Sequence, residues 1–341
     1  MTGHFLALLR SGIRNENISS FPELSVEQWN GIIALAKKHT VLGMVYLGVS
    51  RLPESYPVPE DVSLSLMMES SRIEARSRNV LSVLKEVFAL LKDNELHPMV
   101  LKGPSVARYY SRPELRQSGD LDLYLRPSEF GTAMFLLGDH ASELPDGSIH
   151  YDWKGVDIDL HRKYFDLHVG EASLPPVPSP YATLVLLSSH ILKHCMGPGI
   201  GLRQICDMAV TYDYFRGKDQ SEENSIDRDT LVEYYKRAGI LEWNRLLSSL
   251  LKDYLGGDGY PFEGPLPSSS SLMKRIMEGG NFGHHDAVRE KTLQSGSFAR
   301  KFHTLMLYIK RMPFSLKYAP REFFHEFGDL ALGNFRRKEI V

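Results

Sequence analysis

Leu101-Lys102-Gly103-Pro104-Ser105 and, after fourteen further residues, Asp120-Leu121-Asp122-Leu123-Tyr124-Leu125 decide how this chain is read. Side chains of a strand alternate between faces, so Asp120 and Asp122 share one face while Leu121, Leu123 and Leu125 share the other. Neighbouring carboxylates repel, and one takes up a proton unless a positive charge stands between them. A divalent cation removes that cost. Hard oxygen ligands suit Mg²⁺, which takes one or two protein carboxylates and completes its octahedron with water and phosphate oxygens.

Upstream, the short apolar run Met99–Leu101 is broken by Lys102-Gly103-Pro104-Ser105, and Pro104 suits the first position of a helix predicted over 104–111. A glycine turn opening a helix offers backbone N–H groups and the positive end of the helix dipole, which together seat a phosphate. Downstream, Val156-Asp157-Ile158-Asp159-Leu160-His161 alternates in the same way, placing Asp157, Asp159 and His161 on one face of a second strand. If the two strands are neighbours, a third carboxylate joins the pair, either Asp159 or Asp157. Three acids on adjacent strands can hold two metal ions, one gripping a triphosphate and one lowering the pKa of an attacking hydroxyl.

These elements resemble the nucleotidyltransferase superfamily of the polymerase beta type. Within it the chain is similar to the bacterial family of uncharacterised nucleotidyltransferases. The likeness is carried by Leu101-Lys102-Gly103, Tyr109 or Tyr110, Arg116, Gly119-Asp120-Leu121-Asp122-Leu123 and Asp159-Leu160-His161, and covers roughly residues 75 to 210. One departure is Pro104, which separates Gly103 from Ser105 where the superfamily pairs Gly with Gly or Ser directly, and which removes an N–H donor.

The resemblance implies an α+β fold, a small mixed sheet flanked by helical domains, and transfer of an NMP group from an NTP to an acceptor hydroxyl. The expected metal ligands and catalytic residues are Asp120, Asp122 and Asp159, with Mg²⁺ or Mn²⁺ as the cation. Gly103 and Ser105 are expected to bind phosphate, and Lys102 and Arg116 to offset triphosphate charge. Further on, His190 and His194 are four residues apart, as are Arg203 and Asp207. The family has a similar arrangement after its sheet, which implies that His190 and Arg203 reach the nucleotide. The alternative is a non-catalytic nucleotide-binding protein, or a toxin–antitoxin type of partner, using the same pocket.

The rest of the chain bounds these expectations. With 341 residues the chain exceeds one ordinary core. Three regions are expected: helical 1–94, the α/β core 95–173, and helical 174–341. Ser25 is the expected cap of a helix through Lys38, and a long helix is expected from about Ser63 to Asn94. Another is expected from Pro127 to about Leu137, followed by a hairpin around Lys154-Gly155. Beyond the proline-rich 174–180 the pattern is helical over Tyr181–His194, Leu202–Phe215, Asp229–Ala238 and Trp243–Tyr254, with later helices at 272–278 and 297–312. The basic end Arg336-Arg337-Lys338 reads as a solvated tail.

Net charge is −2 with no long basic run, so no nucleic-acid footprint is expected and the acceptor is expected to be a small molecule or a protein. Two cysteines, Cys195 and Cys206, argue against a disulfide framework and favour the cytoplasm. No stretch reaches the length of a membrane span.

Overall fold

The computed structural model describes residues 1–138, 142–143, 148–197, 199–217, 225–281, 309–325 and 328. The start of the helix expected at 297–312 and the basic end fall outside these residues. The chain divides into two compact units, Met1–Tyr164 and Phe165–Val341.

The first unit begins with three helices, α1 (Thr2–Arg14), α2 (Val26–Lys38) and α3 (Leu42–Val49), and continues with the 34-residue α4 (Glu60–Asp93). Helix α2 starts where the sequence places it. The Ser25 hydroxyl accepts from the Gln28 N–H while the Gln28 side chain accepts from the Ser25 N–H, a complete capping box. Replacing Ser25 by alanine removes half of that box, and chemical denaturation is expected to show a loss of about 1 kcal/mol.

The sheet follows. Strand β1 (Met99–Val100) leads into the short helix α5 (Pro104–Ala107) and a 3₁₀ turn at Pro113–Leu115. Then come β2 (Asp120–Tyr124), α6 (Phe130–Leu137), β3 (Ser142–Glu143), β4 (Ile149–Trp153) and β5 (Val156–His161). The order across the sheet is β1-β2-β5-β4-β3, with β2 and β5 parallel and every other pair antiparallel. Strands β4 and β5 are joined by Lys154-Gly155, both with positive φ, the two-residue turn whose twist matches that of the strands.

One face of this sheet is the core. Leu121 and Leu123 of β2 and Ile158 and Leu160 of β5 pack with Val80, Val83, Val87 and Leu91 of α4 and with Phe130, Ala133 and Leu137 of α6. Apolar residues of α4 recur there at helical spacing while those of β2 and β5 recur at every second position, so the two periods meet on one layer. The acids occupy the opposite face.

Two helices are shorter than the sequence suggested. Helix α5 stops at Ala107 rather than 111, because the Tyr109 and Tyr110 amides bond three residues back, to Val106 and Ala107, and Arg112, ahead of Pro113, has non-helical backbone at φ −128 and ψ 83. Helix α6 starts at Phe130 rather than Pro127, since the Glu129 carboxylate accepts from the Arg126 N–H and closes residues 126–129 as a turn.

The second unit contains α7 (Pro180–Met196), α8 (Leu202–Phe215), α9 (Arg228–Arg237), α10 (Leu241–Leu255) and α11 (Ser270–Gly279), with helical turns at 309–318. Its core includes Trp243, fully buried, whose indole N–H donates to the Ser188 carbonyl at 3.0 Å. Among the described residues no helix is long and apolar enough to cross a membrane.

Candidate active site

Strands β2 and β5 run in parallel with Asp120 opposite Asp157, Asp122 opposite Asp159, and Tyr124 opposite His161. The alternation that puts Leu121 and Ile158 into the core therefore lines the carboxylates up in two adjacent rows. The rows are not equivalent. The Asp159 side chain is 18% exposed and the Asp157 side chain 54%, so of the two candidates for a third acid Asp159 is the one drawn in beside the buried Asp122.

Several groups balance the charge. The Lys102 ammonium stands 3.1 Å from Asp122 Oδ1, and His161 Nε2 stands 2.8 Å from the same oxygen. On the neighbouring strand His150, in register with Asp159, bonds Asp159 Oδ1 through Nδ1 at 2.8 Å and lies 3.4 Å from Asp157 through Nε2. The bond to Asp159 raises the His150 pKa above its ordinary value. Asp159 is pushed up as well: burial is the main cause, the negative charges of Asp122 and Asp120 act in the same direction, and the bond from His150 opposes them.

A carboxyl raised by burial and by two neighbouring acids marks a place where negative charge converges. Asp122, Asp159 and His161 each bring one ligand atom within 4.8 Å of the others, a separation that a single ion between them can span. Two carboxylates and an imidazole form a donor set that fits a divalent cation. Asp120 lies at the start of the same strand face and its charge is felt at Asp159, but it is not one of these three.

Gly103 and Ser105, expected to bind phosphate, lie at the start of α5 beside the Asp120 end of β2. Gly103 caps α5 with φ +67 and ψ −111, backbone that side chains disfavour, and its Cβ position would lie 3.5 Å from the Asp120 carbonyl. Its own carbonyl accepts from the Val106 and Ala107 amides, and Pro104 has no N–H, so Ser105 supplies the remaining amide of that first turn. Arg116, buried, ends the 3₁₀ turn and donates from Nη1 to Ser118 Oγ at 3.0 Å.

His190 and Arg203 belong to the second unit. His190 stacks edge-on against His194 with ring centroids 4.4 Å apart and has Nδ1 3.9 Å from Asp166, while Arg203 and Asp207 are both buried in α8. Sequence reading did not assign roles to His161 or His150. The first was visible as the last member of the Asp-x-Asp-x-His alternation. The second needed the β4–β5 register, which follows from the two-residue turn.

No curated protein and no solved structure matches the chain. The sequence model of the family described as uncharacterised nucleotidyltransferases matches residues 25–256, which takes in the whole carboxylate-bearing sheet and more than half of the chain, and the chain belongs to that family.

Proposed function

We propose that the chain is a metal-dependent transferase that moves an NMP group from an NTP to an acceptor hydroxyl with release of pyrophosphate. Family membership supports nucleotidyl transfer in general. The observation that carries the finer reading is the parallel register that sets Asp122 directly opposite Asp159 on a polar sheet face.

Asp120, Asp122 and Asp159 hold the cations in this reading. A divalent cation bound there, Mg²⁺ or Mn²⁺, supplies electrostatic stabilisation to the phosphoryl oxygens and acidifies the acceptor hydroxyl. The acceptor oxygen attacks the α-phosphorus, the bond from that phosphorus to the bridging oxygen of the β-phosphate breaks, and the proton passes to Asp159. The turn at Gly103 and Ser105 seats phosphate oxygens, Arg116 adds positive charge beside them, and His190 and Arg203 are assigned to the nucleotide through the family likeness alone.

In this reading the Lys102 ammonium, 3.1 Å from Asp122 Oδ1, offsets charge on the triphosphate. Lys102→Met removes one charge-assisted contact, so steady-state kinetics are expected to show KM for the NTP rising about tenfold with a smaller change in kcat.

The test is incubation of the full chain with each α-³²P-labelled NTP, Mg²⁺ or Mn²⁺, and mixtures of polyhydroxylated small molecules and hydroxyl-bearing proteins. Label transfer with pyrophosphate release from one NTP is the expected result. A nucleotide that binds and is never turned over would favour the non-catalytic binding protein instead.

A further inference from the structure

We propose that His161 is itself a metal ligand through Nε2, and that this imidazole makes the centre select Mn²⁺ over Mg²⁺. The proposal rests on the metal-dependent reading above and adds His161 as a further ligand of the ion that Asp122 and Asp159 hold, together with the identity of that ion.

Among the described residues, Asp122, Asp159 and His161 are the only group of three or more His, Cys, Asp or Glu side chains with ligand atoms gathered within 4.8 Å. Strand geometry explains why. His161 follows Asp159 by two positions and so points to the same face, and the parallel partner of His161 is Tyr124, two positions beyond Asp122. The imidazole therefore leans back along the strands onto the Asp122 carboxylate, with Nε2 2.8 Å from Oδ1. Asp120, at the far end of the row, does not reach this group.

His150 is the other imidazole nearby, and its geometry differs. Both of its ring nitrogens face carboxylates of β5, Nδ1 at 2.8 Å from Asp159 and Nε2 at 3.4 Å from Asp157, so it steers Asp159 from the β4 side and is a positioning residue.

Ligand chemistry then discriminates between ions. Mg²⁺ is a hard ion that keeps oxygen ligands and several waters. An imidazole in the inner sphere raises affinity for first-row transition ions, and Mn²⁺ combines that tolerance with the octahedral, carboxylate-rich coordination this sheet face offers.

Electron spin echo envelope modulation on Mn²⁺ added to the full-length chain tests the assignment, with inorganic tripolyphosphate as a nitrogen-free stand-in for the substrate triphosphate. Wild-type protein is expected to show ¹⁴N modulation from a directly bound imidazole. His161→Gln is expected to lose it and to cut the ratio of Mn²⁺ to Mg²⁺ affinity by about tenfold or more. His150→Gln is expected to keep the modulation, and equal thermal unfolding of the three proteins shows that each is folded.

Bound Mn²⁺ without nitrogen modulation in the wild type would overturn the ligand assignment and leave the transferase reading standing. So would modulation that survives His161→Gln and vanishes in His150→Gln. Wild-type protein that binds neither Mn²⁺ nor Mg²⁺ would overturn both.

Discussion

Asp122→Asn is expected to lower the rate of nucleotidyl transfer by about a thousandfold or more, equivalent to about 4 kcal/mol of transition-state stabilisation. Asp122 is the buried member of the carboxylate face, the oxygen onto which both Lys102 and His161 converge, and the direct partner of Asp159 across the parallel register. Asparagine keeps the shape and can still accept a bond from His161, but it carries no charge to hold a cation.

The effect on folding is expected to be small because two changes oppose each other. Pairing with Lys102 and His161 is weakened, while repulsion from Asp159 and Asp120 is relieved. Urea denaturation should place the variant within about 2 kcal/mol of wild type. A variant that loses activity only in proportion to lost folded protein would show that Asp122 is structural.

The second large effect lies away from the acids, at Gly43 in α3. A Cβ built on Gly43 would stand 2.2 Å from the Leu115 carbonyl oxygen, and the Leu42 N–H donates to the Gln117 side chain at 3.3 Å. Helix α3 thus rests its backbone directly on the segment that ends in Arg116 and runs into β2. Two terms compete in Gly43→Ala. Helix propensity favours alanine by about 1 kcal/mol. Forcing a methyl against a backbone carbonyl costs about 3 kcal/mol, since neither chain can move without unpacking Leu115. The clash wins, and denaturation should show a net loss of about 2 kcal/mol together with weaker NTP binding as Arg116 and the start of β2 shift. Stabilisation by alanine would show that α3 and the 3₁₀ turn do not meet at backbone level.

What the sequence disclosed and what it concealed follow a physical division. Local chemistry was legible: the Ser25 cap, the Lys154-Gly155 turn and the alternation of Asp120 and Asp122 with leucines are each fixed by residues within a few positions of one another. The mixed α+β architecture is what the family resemblance implies, and the family model matches residues 25–256, a longer span than the 75 to 210 over which the motifs carry the likeness.

Features that depend on pairing between distant segments were not legible. Period-2 alternation puts Asp157 and Asp159 on the same face equally well, and the parallel register with Asp122 and the side-chain exposures separate them. His150 acquires its contact with Asp159 through the β4–β5 register, and Gly43 acquires its importance from a segment some seventy residues later. Helix α5 was overestimated because Tyr109 and Tyr110 continue the apolar pattern while their amides have already switched to three-residue bonds ahead of Pro113.

Isothermal titration of ATP, GTP, CTP and UTP into the full chain, each with Mg²⁺ and with Mn²⁺, compared with Asp120→Ala/Asp122→Ala, tests the central claim most directly. The expected result is cation-dependent binding of at least one nucleotide that disappears in the double variant. Binding of none of the four, or equal binding by the variant, would contradict a nucleotide site built on the acidic face of β2 and β5.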